Sequence, residues 1–152
     1  HTWAAVKKKM FNVREKLSNE QQMEARKIRE KSDEFSAKVA EFRKYFQKVA
    51  PFTVSQAAIK LEQVDPAYGL LEHFHSGAPN EEHPFGSVHS ILQESKTLNE
   101  SQELFELFVS DYVDLRRCNE ELMYLKGLWD QVAVVMFTFT DWYTTPWDNI
   151  DV

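Results

Sequence analysis

Cys118, Leu122, Leu125, Trp129, Val132, Met136, Phe139 and Tyr143 follow one another at alternating steps of four and three residues. Only an α-helix turns that spacing into a single stripe. Leu128, Val135 and Trp142 lay a second stripe beside the first, so this helix is apolar over more than one face and is expected to have neighbours on several sides. Three of the chain's four tryptophans, Trp129, Trp142 and Trp147, fall in or just after it, and burying side chains of that size calls for a large core. The expected core of this stretch is Leu122, Leu125, Trp129, Val132, Met136, Phe139, Trp142 and Trp147. The pattern predicts a helical bundle with this helix at its centre.

Few signals interrupt the rest. Four glycines and five prolines in 152 residues favour a small number of long helices over a strand-rich fold. Residues 2 to about 49 hold no glycine or proline and read as one long helix, with Thr2 as its cap and Pro51 as its stop. Trp3, Val6, Met10, Val13 and Leu17 keep the three-four spacing, and so do Phe35, Val39, Phe42, Phe46 and Val49. Between them the pattern thins, and the two registers join only through a four-residue stutter. Unbroken, such a helix is roughly 70 Å long at about 1.5 Å per residue, against a radius of gyration of about 15 Å for a compact chain of this size. It must bend, break near its polar middle, or belong to an elongated rod. The fold class is therefore all-α, an elongated bundle with a long N-terminal helix and a central, aromatic-rich C-terminal one.

Thr53 to Gln56 has the form of a capping box opening a short helix through Leu61. Asp65-Pro66 reads as the cap and first turn of another, with Tyr68, Leu71 and Phe74 inward. Ser76 to Gly86 is a loop. Val88, Ile91 and Leu92 start a helix that pauses near Asn99 or runs on to Leu115. A junction is expected at Cys118-Asn119, turning the final ladder antiparallel to what precedes it. Thr144, Thr145 and Pro146 end that helix, and Trp147 to Val152 leaves in extended form.

Charge divides the chain unequally. Residues 1–50 carry 13 Lys/Arg against 7 Asp/Glu, and residues 51–152 carry 5 against 17. This predicts two parts, a basic helix over 1–50 and an acidic helical bundle over 51–152, with Lys7, Lys8 and Lys9 as an interaction face. Nucleic acid is not the expected partner, because the other cations are interleaved with glutamates. No run approaches the roughly eighteen apolar residues of a membrane span, and the N-terminus lacks a signal-peptide layout. His1 in place of methionine reads as a piece of something longer.

No catalytic constellation stands out. His73, His75, His83 and His89 crowd near Glu72, Glu81 and Glu82, but without the disciplined spacing of a zinc site. The single cysteine, Cys118, has Arg116 and Arg117 beside it, yet its place in the apolar stripe argues for an inert, packed thiol. Glu120-Glu121 reads as helix-start charge, and the sequon at Asn99-Glu100-Ser101 as chance. There is no phosphate-binding loop. The expectation is a scaffold with no catalytic residue, cofactor or metal of its own.

The stretch Leu122-x-x-Leu125-Lys126-x-Leu128-Trp129-Asp130, then Phe139-x-Asp141-Trp142 and Thr145-x-Trp147-x-x-Ile150-Asp151-Val152, resembles dynein heavy chains. Leu98-Asn99-x-x-Gln102-Glu103-Leu104-Phe105-Glu106-Leu107, with Tyr112, Leu115 and Cys118, is similar to their axonemal members. The resemblance implies the late tail of a heavy chain, just before the linker that swings to transmit force. ATPase and microtubule-motor activity would then lie elsewhere in the parent. The implied partners are the rest of the heavy chain and other heavy, intermediate or light chains, in the cytoskeleton of the ciliary axoneme. The alternative is an unrelated helical scaffold or coiled-coil adaptor.

Overall fold

The computed structural model describes residues 2–52 and 61–146. Four α-helices account for most of them: α1 Thr2–Val49, α2 Val64–Ser76, α3 Val88–Leu104 and α4 Val113–Thr144, with a 3₁₀ turn at Leu61–Gln63 leading into α2. The expected helix over 53–61 and the segment 147–152, Trp147 included, lie outside the described residues apart from Leu61.

α1 does not break at its polar middle: it is one continuous helix of 48 residues. Its second half supplies one wall of the core through Phe35, Val39, Phe42 and Phe46. Its first half stands free, and residues 3–24 are all exposed.

Cross-contacts fix the directions. Ser32 meets Tyr112, Arg43 meets Glu121, and Pro51 meets Trp129, so α1 and α4 run parallel. Lys38 pairs with Glu94 and Ser32 with Gln102, so α3 runs against α1. Tyr68 reaches Asp130 while Phe74 packs on Phe42 and Phe46, so α2 also runs against α4 and follows the same line as α3. The bundle has three rods, two long parallel helices and one antiparallel rod broken into α2 and α3. Because α1 and α4 are parallel but displaced along their axes, α1 overhangs one end and α4 the other. The core draws on residues from both sides of the 1–50 and 51–152 division.

Two boundaries differ from expectation. α2 is capped at Gln63, not Asp65, because the 3₁₀ turn hands its backbone directly to the helix, leaving Asp65 and Pro66 in the first turn. No junction occurs at Cys118-Asn119: α4 runs through it, and Leu115, three residues before Cys118, belongs to the same buried ladder. The turn lies earlier, at 105–112. There the Leu107 N–H donates to the Gln102 carbonyl at 2.8 Å and the Glu106 N–H to the Glu103 carbonyl at 3.0 Å, with Glu106 at φ 54°. This is a left-handed helix stop of the kind that usually carries glycine. The far end of α4 falls where expected, at Thr144 with Thr145 as its cap.

Candidate functional site

Where α1, α3 and the 105–112 link converge, Gln102 is buried among other polar groups. Its side-chain amide donates to Ser32 Oγ at 2.9 Å and Ser110 Oγ at 3.1 Å, and its carbonyl accepts the Ser110 N–H at 3.0 Å. Asn99 Nδ2 donates to the Ser110 carbonyl at 3.2 Å, so the sequon asparagine is engaged in the fold. Ser95 and Gln102 continue the Val88–Ile91 ladder, and Ser32 sits between Ile28 and Phe35 on α1. Polar residues at core register were the signal in the sequence for this network. Each fixes a neighbour's position, since an unpaired buried amide would cost about 1–3 kcal/mol.

One layer along, Arg43 on α1 clasps Glu121 on α4 with both ends of its guanidinium, at 2.5 and 2.7 Å. The hydrogen bonds from Arg43 hold the Glu121 carboxyl below its usual range, and the Glu121 carboxylate holds Arg43 above its own. Arg43 Nη1 also lies 3.5 Å from Cys118 Sγ. Burial nevertheless pushes the Cys118 thiol up, outweighing the guanidinium, so the thiol is a packed core group as its register suggests. Arg116 and Arg117 point elsewhere, toward Asp111 and Asp114. Glu121 was expected to be simple helix-start charge; eight residues into α4, it is a cross-helix partner.

The histidines divide. His73 and His83 stack with ring centroids 4.3 Å apart, and Tyr45 from α1 bonds His83 Nδ1. This clamps the 77–87 loop over Phe74, with Phe85 of the loop packed on Phe42 and Tyr45. Burial, then the neighbouring His83, lowers the His73 pKa. His75 and His89 are exposed. Among the described residues no three His, Cys, Asp or Glu groups are placed to hold a metal.

The last layer ties the end of α1 to α4. The Trp129 indole N–H donates to the Pro51 carbonyl at 3.0 Å, with the side chain 4% exposed. Tyr68 donates to Asp130 at 2.5 Å, and that bond lifts its pKa to about 12.

The sequence-predicted core splits along α4. Leu122, Leu125 and Trp129 are buried, and Val132 and Met136 are half-buried. Phe139 and Trp142 are a correction: Trp142 is 66% exposed and Phe139 46%. Leu128, Val135 and Tyr143 are exposed as well. The cause is length. α2, which flanks α4 in the opposite direction, has Tyr68 level with Asp130 and starts only one turn further on, at Val64, while α4 continues to Thr144. Phe139 and Trp142 pack edge to face on each other at 5.5 Å.

At the opposite end, the α1 stripe Trp3, Val6, Met10, Val13 and Leu17 is exposed throughout. Lys7, Lys8 and Lys9 are exposed on the same turn, with Lys7 Nζ 5.5 Å from the Trp3 ring centre. These two overhanging faces and the cross-tied layers between them are what the molecule offers to function.

No protein-family model and no solved structure matches the chain. Among curated proteins, the dynein beta chain of the flagellar outer arm of Chlamydomonas reinhardtii is 57% identical over 150 residues. The ciliary dynein beta chain of Heliocidaris crassispina is 33% identical and human dynein axonemal heavy chain 9 is 31% identical over the same length. Each match covers 99% of this chain and 3% of the relative, so the chain spans a small fraction of the proteins it resembles.

Proposed function

The chain belongs to the axonemal dynein heavy chains, as a homologue of one short segment of them, and from that membership we propose that it is a load-bearing tail segment of a microtubule-based motor of the ciliary axoneme. An unrelated helical adaptor is not favoured, since the relatives named above are all dynein chains. The observation that carries the mechanical reading is the pair of displaced parallel helices, α1 and α4, locked by the Gln102 network, the Arg43–Glu121 clasp and the Trp129–Pro51 bond. Such ties give a rod a fixed length and register, because each has one geometry and packed interiors deform little. ATP hydrolysis and microtubule binding belong to other parts of the parent. α4 leads toward the linker, and the exposed faces meet the rest of the heavy chain or its associated chains.

The test is a full heavy chain carrying Arg43→Ala with Glu121→Ala. Microtubule-stimulated ATP turnover stays near wild type, while microtubule gliding under load slows or arm assembly falls. Loss of ATP turnover in a fully assembled motor would place chemistry in this segment and sink the reading. Unchanged gliding and assembly would show that load bypasses it.

A further inference from the structure

The free half of α1 presents more than an apolar stripe. Assigning heptad positions, Trp3, Met10 and Leu17 fall at a, and Val6 and Val13 at d. Lys7 and Arg14 then occupy both e positions between them, and Lys9 and Lys16 the two g positions. Lys8, by contrast, lies on the far side of the helix. An apolar seam edged by cations on both sides is a docking face with a defined complement.

The charges decide what that complement is. If two copies of this helix paired in parallel, Lys9 would face Arg14 across the seam; if antiparallel, Lys9 and Lys16 would face each other, as would Lys7 and Arg14. Like charges in those positions oppose self-pairing in either orientation. The partner must carry Asp or Glu at its own e and g positions. The same helix already uses this arrangement lower down, where its buried seam meets α3 and Lys38 pairs with Glu94 at the edge.

The seam also points along the bundle. Leu17 and Ile28 are eleven residues apart, close to three full helical turns, so the free stripe and the buried one share a face of α1. At that end of the bundle the 105–112 link leaves Leu104 and Phe108 exposed, Phe108 by 89%. A helix lying on the free stripe would meet this apolar end, in line with α3 and α4.

We propose that Trp3, Val6, Met10, Val13 and Leu17 form half of a heterotypic helix seam whose other half is an acidic-edged helix from elsewhere in the same heavy chain. This rests on the reading of the chain as a heavy-chain segment and specifies what covers its basic end.

The experiment uses the intact heavy chain, treated with a carbodiimide that joins lysine to carboxylate without a spacer, followed by mass spectrometry and amide hydrogen exchange. Lys9 and Lys16 couple to Asp or Glu of the same heavy chain outside residues 1–152, Lys8 does not, and residues 3–17 exchange slowly. Lys9→Glu with Lys16→Glu speeds that exchange at least tenfold. Lys9→Arg with Lys16→Arg keeps the protection while abolishing the coupling, which separates charge from misfolding. Coupling to a different polypeptide, coupling between copies of α1, or rapid exchange that charge reversal leaves unchanged each overturns the proposal. A heavy chain that still drives microtubule gliding while failing these tests loses the seam alone, not the assignment to a motor.

Discussion

Glu121 illustrates how a single side chain acquires meaning from its partner. On the sequence it is one of two adjacent glutamates; in the fold it receives both arms of Arg43 beside a buried thiol. Glu121→Ala leaves the guanidinium without its partner in a largely covered site, and we expect a loss of about 1–3 kcal/mol in urea unfolding. Arg43→Lys should lose part of the same amount, since an ammonium cannot grip both oxygens. His73 gives a second, pH-dependent effect. Its folded pKa lies below the ordinary 6.5 because burial and His83 oppose its charge, so the folded state resists protonation more than the unfolded one. Stability is then complete above about pH 6.5 and declines as the pH falls below it. His73→Gln should flatten that decline when melting temperature is followed from pH 7.5 to 5.5. Tryptophans separate by position in the same way: Trp129→Ala should cost about 3–5 kcal/mol, whereas Trp142→Ala should shift the stability of the 152-residue chain by no more than about 0.5 kcal/mol.

Helices were legible where apolar spacing continued, and their ends were legible only where residue type carried the signal. The loop at Ser76 to Gly86 announced itself through glycine, proline and asparagine, and Ser87 caps α3 by accepting the Ser90 N–H at 3.2 Å. The end of α3 did not, because its left-handed stop is occupied by Glu106, a residue with no special preference for that conformation. The junction was consequently expected at Cys118-Asn119, where a polar residue follows the ladder, though a partly exposed asparagine interrupts nothing in a helix. The Gln102 network was missed for the opposite reason: polar residues at core positions look like breaks in a pattern until their partners, far away in sequence, are known. The same stop yields a prediction. Glu106→Gly removes about 1–2 kcal/mol of left-handed strain at about 0.5–1 kcal/mol in chain entropy, a net gain of about 0.5–1 kcal/mol. Glu106→Val should destabilise. Denaturant midpoints of the two variants, read at constant slope, would settle the sign of each.

Across the whole molecule, the expected burial of α4 holds for one stripe, from Leu115 through Trp129, and fails beyond it and on the second stripe, where Leu128 is already exposed. Amphipathic spacing reports that a face will be covered; it does not report which polypeptide segment does the covering. Both overhangs follow from that distinction, as α1 and α4 are each longer than the broken rod that spans between them. The basic overhang and the acidic body also separate by charge, so contacts made by the first half of α1 should weaken as ionic strength rises. Proteolysis of the intact heavy chain at 50 and 500 mM salt offers a direct measure, with cleavage near Lys9 and Lys16 expected to accelerate at the higher concentration.

The chain enters the bundle through α1 at one end and departs through α4 at the other, with the two helices pointing the same way. Pulling its ends apart therefore drags α1 and α4 past each other in shear. The Gln102 network, the Arg43–Glu121 clasp and the Trp129–Pro51 bond all take tension together, and none can be peeled open before the rest. A bundle wired in this manner yields in one step at high force instead of unzipping layer by layer.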